Sequence, residues 1–166
     1  MIRKIAAAAA ACVVCSTGHC VDGIGVEVGR GDDRTSLLRL VLTDRWHRAQ
    51  RPAAKQWRFA GYWELSVGLW DNREESTADV GFTPVFRLER GALVLEAAIG
   101  VHLVQTHISA QRSFSTALQF GDHLGLGIHS GKYDFGVRVQ HVSNGGIHSP
   151  NPGINFVTLQ VHYNLE

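Results

Sequence analysis

A strict two-residue alternation of apolar and polar side chains constrains this chain more than any other feature, and it is clearest near the C-terminal end. From Tyr133 to Ser143, the residues Phe135, Val137, Val139, His141 and Ser143 share one face, and Asp134, Gly136, Arg138 and Gln140 share the other. A loop of turn formers follows, Asn144-Gly145-Gly146 and Pro150-Asn151-Pro152-Gly153. Alternation then resumes, with Asn155, Val157, Leu159, Val161 and Tyr163 against Phe156, Thr158, Gln160 and His162. The stretch therefore reads as one β-hairpin with a continuous apolar face. His141, Ser143 and Asn155 interrupt that face close to the loop, placing polar groups capable of nucleophilic chemistry where lipid or a core is expected.

The N-terminal residues 1–20 have a different character. Arg3 and Lys4 precede an apolar run from Ile5 to Val14, followed by small residues, which is the pattern of a secretory signal peptide cleaved after Gly18 or Cys20. The run is too short for the roughly 20 apolar residues of a spanning helix. Neither Cys15 nor Cys20 has the surroundings of a lipoprotein cysteine. Cys12, Cys15 and Cys20 are the only cysteines, so the mature part, residues 21–166, is expected to have no disulfide or zinc framework. The mature part is one domain in length. A formal net charge of +1 with no basic cluster argues against nucleic acid as a partner.

No stretch after residue 20 carries a long helical apolar stripe, and the alternation divides the mature chain into eight strands. They are expected at Val21 to Gly29, Thr35 to Leu42, Trp57 to Trp70, Asp79 to Glu89, Leu93 to Val104, Ser113 to His129, and the two strands of the hairpin. Tight turns fall at Arg90-Gly91 and Ser130-Gly131-Lys132, while Thr43 to Gln56 is a long polar connection with Trp46 and Trp57 at girdle positions. Eight antiparallel strands behind a signal peptide predict an all-β, eight-stranded antiparallel transmembrane β-barrel in the bacterial outer membrane, apolar face to lipid and polar face to the lumen. With both termini periplasmic, the connections after strands 1, 3, 5 and 7 face outward. His141 and Ser143 then sit in the outer leaflet, where a Ser-His pair suggests a hydrolase acting on lipid.

The run His141-x-Ser143-Asn144-x-Gly146, followed by Pro150-Asn151 and Gly153-Ile154, resembles the lipid A 3-O-deacylase (PagL) family of eight-stranded outer-membrane esterases. Further fragments match in the same order: Gly61-Tyr62-Trp63, Pro84-Val85-Phe86, Ile99-Gly100-Val101, Phe120-x-Asp122 and Gly136-Val137-Arg138. The resemblance implies hydrolysis of the ester-linked acyl chain at the 3 position of lipid A, with lipopolysaccharide as the partner, no cofactor and no metal. It implies Ser143 as nucleophile and His141 as its general base. For the oxyanion it suggests the Gly146 N–H and the Asn151 side chain, with Asn144 as a further candidate. The family has a glutamate where this sequence has Asn155. An asparagine lying across from His141 can still accept from Nδ1–H and fix the ring, although without a full negative charge.

Two other classes stay open at this level: a non-catalytic outer-membrane barrel with a structural or adhesion role, and a secreted lipocalin-type barrel with its apolar face turned inward. Dimerisation is also open. The remaining histidines (His47, His102, His107, His123, His129, His148 and His162) lack metal-like spacing and read as structural. Arg30, Arg34, Arg73 and Arg112 read as solvated loop charge, with lipid A phosphates as the alternative partners. Glu64, Glu96 and Arg138 are expected to form a polar network in the lumen.

Overall fold

The computed structural model describes residues 21–46, 56–72, 75–106 and 113–165. The expected signal peptide, His47, His107, Arg73 and Arg112 lie outside these residues. The chain forms eight strands: β1 (Gly23–Gly31), β2 (Ser36–Arg45), β3 (Arg58–Asp71), β4 (Ser76–Arg90), β5 (Leu93–Val104), β6 (Leu118–Ser130), β7 (Tyr133–Ser143) and β8 (Ile154–Asn164). Each pairs antiparallel with its sequence neighbours, and β1 pairs with β8 to close the barrel. Closure leaves no exposed sheet edge, the condition for strands to cross lipid.

The alternation maps onto the wall as expected. Leu40, Ile99, Leu124 and Leu159 project outward, each 59–69% exposed, and they belong to a belt of exposed Val, Leu, Ile and Phe side chains. So large an outward apolar surface fits lipid and not water. The lumen is lined by buried polar residues, including Glu27, Arg39, Glu64, Asp79, Glu96 and Arg138. This orientation overturns the lipocalin-type alternative, which requires the apolar face inside.

Eight strands enclose a space just wide enough for side chains to fill, and here an ion-pair network fills it. Arg138 donates to Glu64 at 2.9 Å, to Glu96 at 3.0 Å, to the Tyr62 hydroxyl at 2.6 Å, and to Glu27. Arg39 bridges Glu27 at 2.9 Å and Asp79 at 2.8 Å. The expected trio of Glu64, Glu96 and Arg138 is thus the centre of a larger set.

At one end, tight turns at Gly91 and Gly131, both with positive φ, join β4 to β5 and β6 to β7. Around this end Trp46 packs edge-on against Trp63 and Phe86, while Arg90 lies over Trp57 and Lys132 over Tyr163. These contacts match the interfacial aromatic girdle expected there.

At the other end the pattern of the lumen changes from polar to apolar. Leu37, Trp70, Val104, Phe114, Val142, Ile154 and Phe156 form a buried cluster that closes the barrel mouth from inside. The β1–β2 turn at this end is tight and strained. Asp33 and Arg34 adopt left-handed backbone angles (φ 53° and 60°), a conformation that costs a residue with a Cβ roughly 1–2 kcal/mol. Gly31 N–H to Thr35 O (2.7 Å) and Thr35 N–H to Asp32 O (3.0 Å) hold it.

Candidate active site

The apolar plug determines which way the polar residues of the hairpin face. Val142, between His141 and Ser143, is fully buried in the plug, and Ile154 and Phe156 on either side of Asn155 are buried with it. Because strand side chains alternate, anchoring these three inward forces His141, Ser143 and Asn155 outward. At this level the barrel is oily inside and polar outside, the reverse of its middle. His141 and Ser143 are half-buried, and Asn155 is exposed.

The register completes the arrangement. His141 lies directly across from Asn155, with Nδ1 2.8 Å from the Asn155 Oδ1. On the β6 side, Asp122 opposes His141 and Phe120 opposes Ser143. Gly153, in left-handed conformation (φ +57°), is the point on which the pair converges. A Cβ there would lie 2.7 Å from His141 Cε1, 3.3 Å from Nε2 and 3.5 Å from Ser143 Cβ. A side chain at this position would collide with the His141 ring, and the backbone angle asks for glycine as well.

The connecting loop is built around Asn144, which is 1% exposed. Its two amide protons go to Ser115 Oγ (2.9 Å) and His148 O (2.8 Å), its oxygen accepts from Gly146 N–H (2.9 Å), and its backbone N–H donates to Asn151 Oδ1 (3.0 Å). Two expectations change here. The Asn144 side chain has no proton left for an oxyanion, and the Gly146 N–H is already committed to it. Asn151 is held by its oxygen, which leaves its Nδ2 without a hydrogen bond among the described residues. The N–H that turns toward the Ser143 hydroxyl belongs instead to Gly145, at 3.4 Å from Oγ, a long contact. Reading motif spacing alone missed Gly145, because its direction follows from the positive φ of Gly145 and Gly146 (65° and 79°).

Asp32 was also missed. One of its oxygens accepts from both the backbone N–H and the Nδ2 of Asn155, each at 3.0 Å. Nothing in the local sequence marks it, because the contact exists only through the β1–β8 closure.

The other titratable groups fall where a structural role puts them. His102 contacts Asp79 at 2.8 Å in the lumen, and His123 and His162 are buried there. Arg30 donates to Arg34 O within its own turn. Among the described residues, Glu27, Glu64 and His162 bring potential metal-ligating atoms within 4.8 Å of one another. Both carboxylates already bind Arg138, and the cluster is inside the lumen, on the opposite side of the wall from Ser143.

Comparison with known proteins points in one direction. A family model described as lipid A 3-O-deacylase (PagL) matches residues 38–164. The chain is 30% identical to a lipid A deacylase PagL of Bordetella bronchiseptica, across 93% of this chain and 90% of that protein. It is 28% identical to a lipid A deacylase PagL of Pseudomonas aeruginosa, across 82% of each. Among solved structures it resembles a crystal structure of the outer membrane enzyme PagL, with a TM-score of 0.76 at 26% identity, covering 86% of this chain and 99% of the other.

Proposed function

The chain belongs to the lipid A 3-O-deacylase (PagL) family of outer-membrane enzymes, and we propose that it performs this deacylation with Ser143 as nucleophile, His141 as general base and Asn155 as the group that holds the imidazole. The observation that carries the reading is the 2.8 Å contact between His141 Nδ1 and Asn155 Oδ1, on the outward face that Ser143 shares. With Nδ1–H held by an acceptor, the Nε2 lone pair is left free to take the Ser143 proton, the tautomer a general base requires.

In the first half of the reaction, Ser143 Oγ bonds to the ester carbonyl carbon as its proton passes to His141 Nε2. The tetrahedral intermediate collapses, the bond to the sugar 3-oxygen breaks, and that oxygen leaves with the proton from Nε2. In the second half, water attacks the acyl-serine, Nε2 takes the water proton and returns it to Ser143, and a free fatty acid departs. The Gly145 N–H and the Asn151 Nδ2 are the donors assigned to the oxyanion, where charge must be met by groups already in place. The outward apolar belt beside the site, with Phe120 next to Ser143, keeps the acyl chain in the lipid phase while its ester reaches the serine.

A long-chain alkyl fluorophosphonate tests the assignment. Its phosphorus is expected to bond to Ser143 Oγ with loss of fluoride, adding one phosphonyl group that peptide mass spectrometry locates at Ser143, with labelling strongly slowed in His141→Ala. Labelling at another serine, or equal labelling of both proteins, would contradict it.

A further inference from the structure

We propose that Asp32 is a positioning residue for the deacylation, extending the Ser143, His141 and Asn155 arrangement to a fourth member and supplying the negative charge that an asparagine lacks. This inference rests on the reading of Ser143 and His141 given above.

Three observations converge on Asp32. The first is register: β1 and β8 pair as far as Gly31 and Phe156, so the residue that follows β1 comes level with Asn155. The second is chemistry. The Asp32 carboxylate oxygen accepts from both the backbone N–H and the side-chain Nδ2 of Asn155 at 3.0 Å. A carboxylate accepts only, so the asparagine must turn its NH₂ toward Asp32 and its oxygen toward His141. Were the amide reversed, its oxygen would meet the carboxylate acceptor to acceptor. Its NH₂ would then donate to Nδ1, leaving the proton of the neutral ring on Nε2, where it blocks the base. Asp32 therefore selects the tautomer of His141 through Asn155. The third is the backbone: Asp32 opens a turn whose next two residues are both left-handed without being glycine, a strained geometry in contact with the site.

The charge also matters. As Ser143 is acylated the imidazole becomes cationic, and Asn155 offers it only a dipole. A carboxylate hydrogen-bonded to the far side of that amide polarises it further and adds its own attraction. Asp122, across from His141 on β6, is the carboxylate neighbour on the other side, so Asp122→Asn serves as a comparison.

The experiment is a double-mutant cycle on the full-length protein in detergent, with purified lipid A as substrate. In the wild-type background Asp32→Ala is expected to lower kcat by about 10- to 100-fold with little change in KM, the range typical when a group orienting a catalytic ligand from behind is lost. Asp32→Asn, which keeps the size and an acceptor oxygen, should fall between. In the Asn155→Glu background both changes should cost little or raise kcat, because the new carboxylate at position 155 holds the ring itself and is relieved of a like charge. A purely structural role for the turn would give equal losses in both backgrounds, and that result would overturn the proposal, as would a loss confined to KM or a greater loss from Asp122→Asn. Full activity of Ser143→Ala would overturn the nucleophile assignment and this inference together. Ser143 dependence with equal Asp32 losses would overturn this inference alone. Heat-modifiable gel mobility reports folding of each variant.

Discussion

Replacing His141 by alanine is expected to lower the rate of lipid A deacylation by about 10⁴- to 10⁶-fold while leaving the barrel folded, because nucleophile and base act as a unit. A serine hydroxyl at neutral pH is almost wholly protonated and attacks an ester only when its proton has somewhere to go. The acceptor we propose is the His141 imidazole, whose other nitrogen is held 2.8 Å from an amide oxygen. The strand should survive the loss. His141 is half-buried on the outer face, whereas its neighbours Gln140 and Val142 are buried inside the barrel wall and keep the register with β6 and β8. The double variant His141→Ala with Ser143→Ala is expected to be no slower than either single variant. Release of fatty acid from purified lipid A, followed by mass spectrometry, measures both effects. Multiplicative losses would show that the two residues contribute independently.

The second large effect is on stability and concerns a residue outside the reaction. Arg138→Leu is expected to destabilise the barrel by about 3–5 kcal/mol, as found when one partner of a buried ion pair is removed and the other left behind. The cost is at the high end here because Arg138 is shared. Its guanidinium donates to Glu27, Glu64, Glu96 and Tyr62, contributed by β1, β3 and β5, and all are nearly excluded from solvent. Removing it leaves three carboxylates facing one another, with Arg39 and Arg87 able to meet only part of the charge through Glu27 and Glu96. The urea midpoint of refolded protein in detergent measures this. An unchanged midpoint would mean that the network contributes nothing to the fold.

Much of the architecture is readable from alternation because lipid outside and charge inside impose opposite chemistry on successive residues. β5 and β7 begin and end where the pattern does. The misplaced boundaries have specific causes. β2 was expected to stop at Leu42 but continues to Arg45, since pairing of Thr43, Asp44 and Arg45 with Glu64, Trp63 and Tyr62 outweighs their polarity. β4 starts at Ser76 instead of Asp79 for the same reason, Thr77 pairing with Trp70. β6 was expected from Ser113 but starts at Leu118. Phe114 leaves the wall and packs with Trp70 in the plug, so the alternation at 113–117 does not describe a strand.

The candidate site divides in the same way. His141, Ser143 and Asn155 are legible because they break an apolar face near a turn, and the hairpin register that brings two of them together is local. The loop donors are not, because Asn144, Gly145 and Gly146 differ in role only through the direction of each N–H and amide. Asp32 is least legible, lying 123 residues from Asn155 and meeting it only when the first and last strands close.

The most direct test of the central claim is mass spectrometry of lipid A from outer membranes carrying the wild type or Ser143→Ala, with heat-modifiable gel mobility showing both barrels folded. The account predicts loss of one 3-position hydroxyacyl chain with the wild type and intact lipid A with the variant. Unchanged lipid A with both, or equal loss with both, would contradict it.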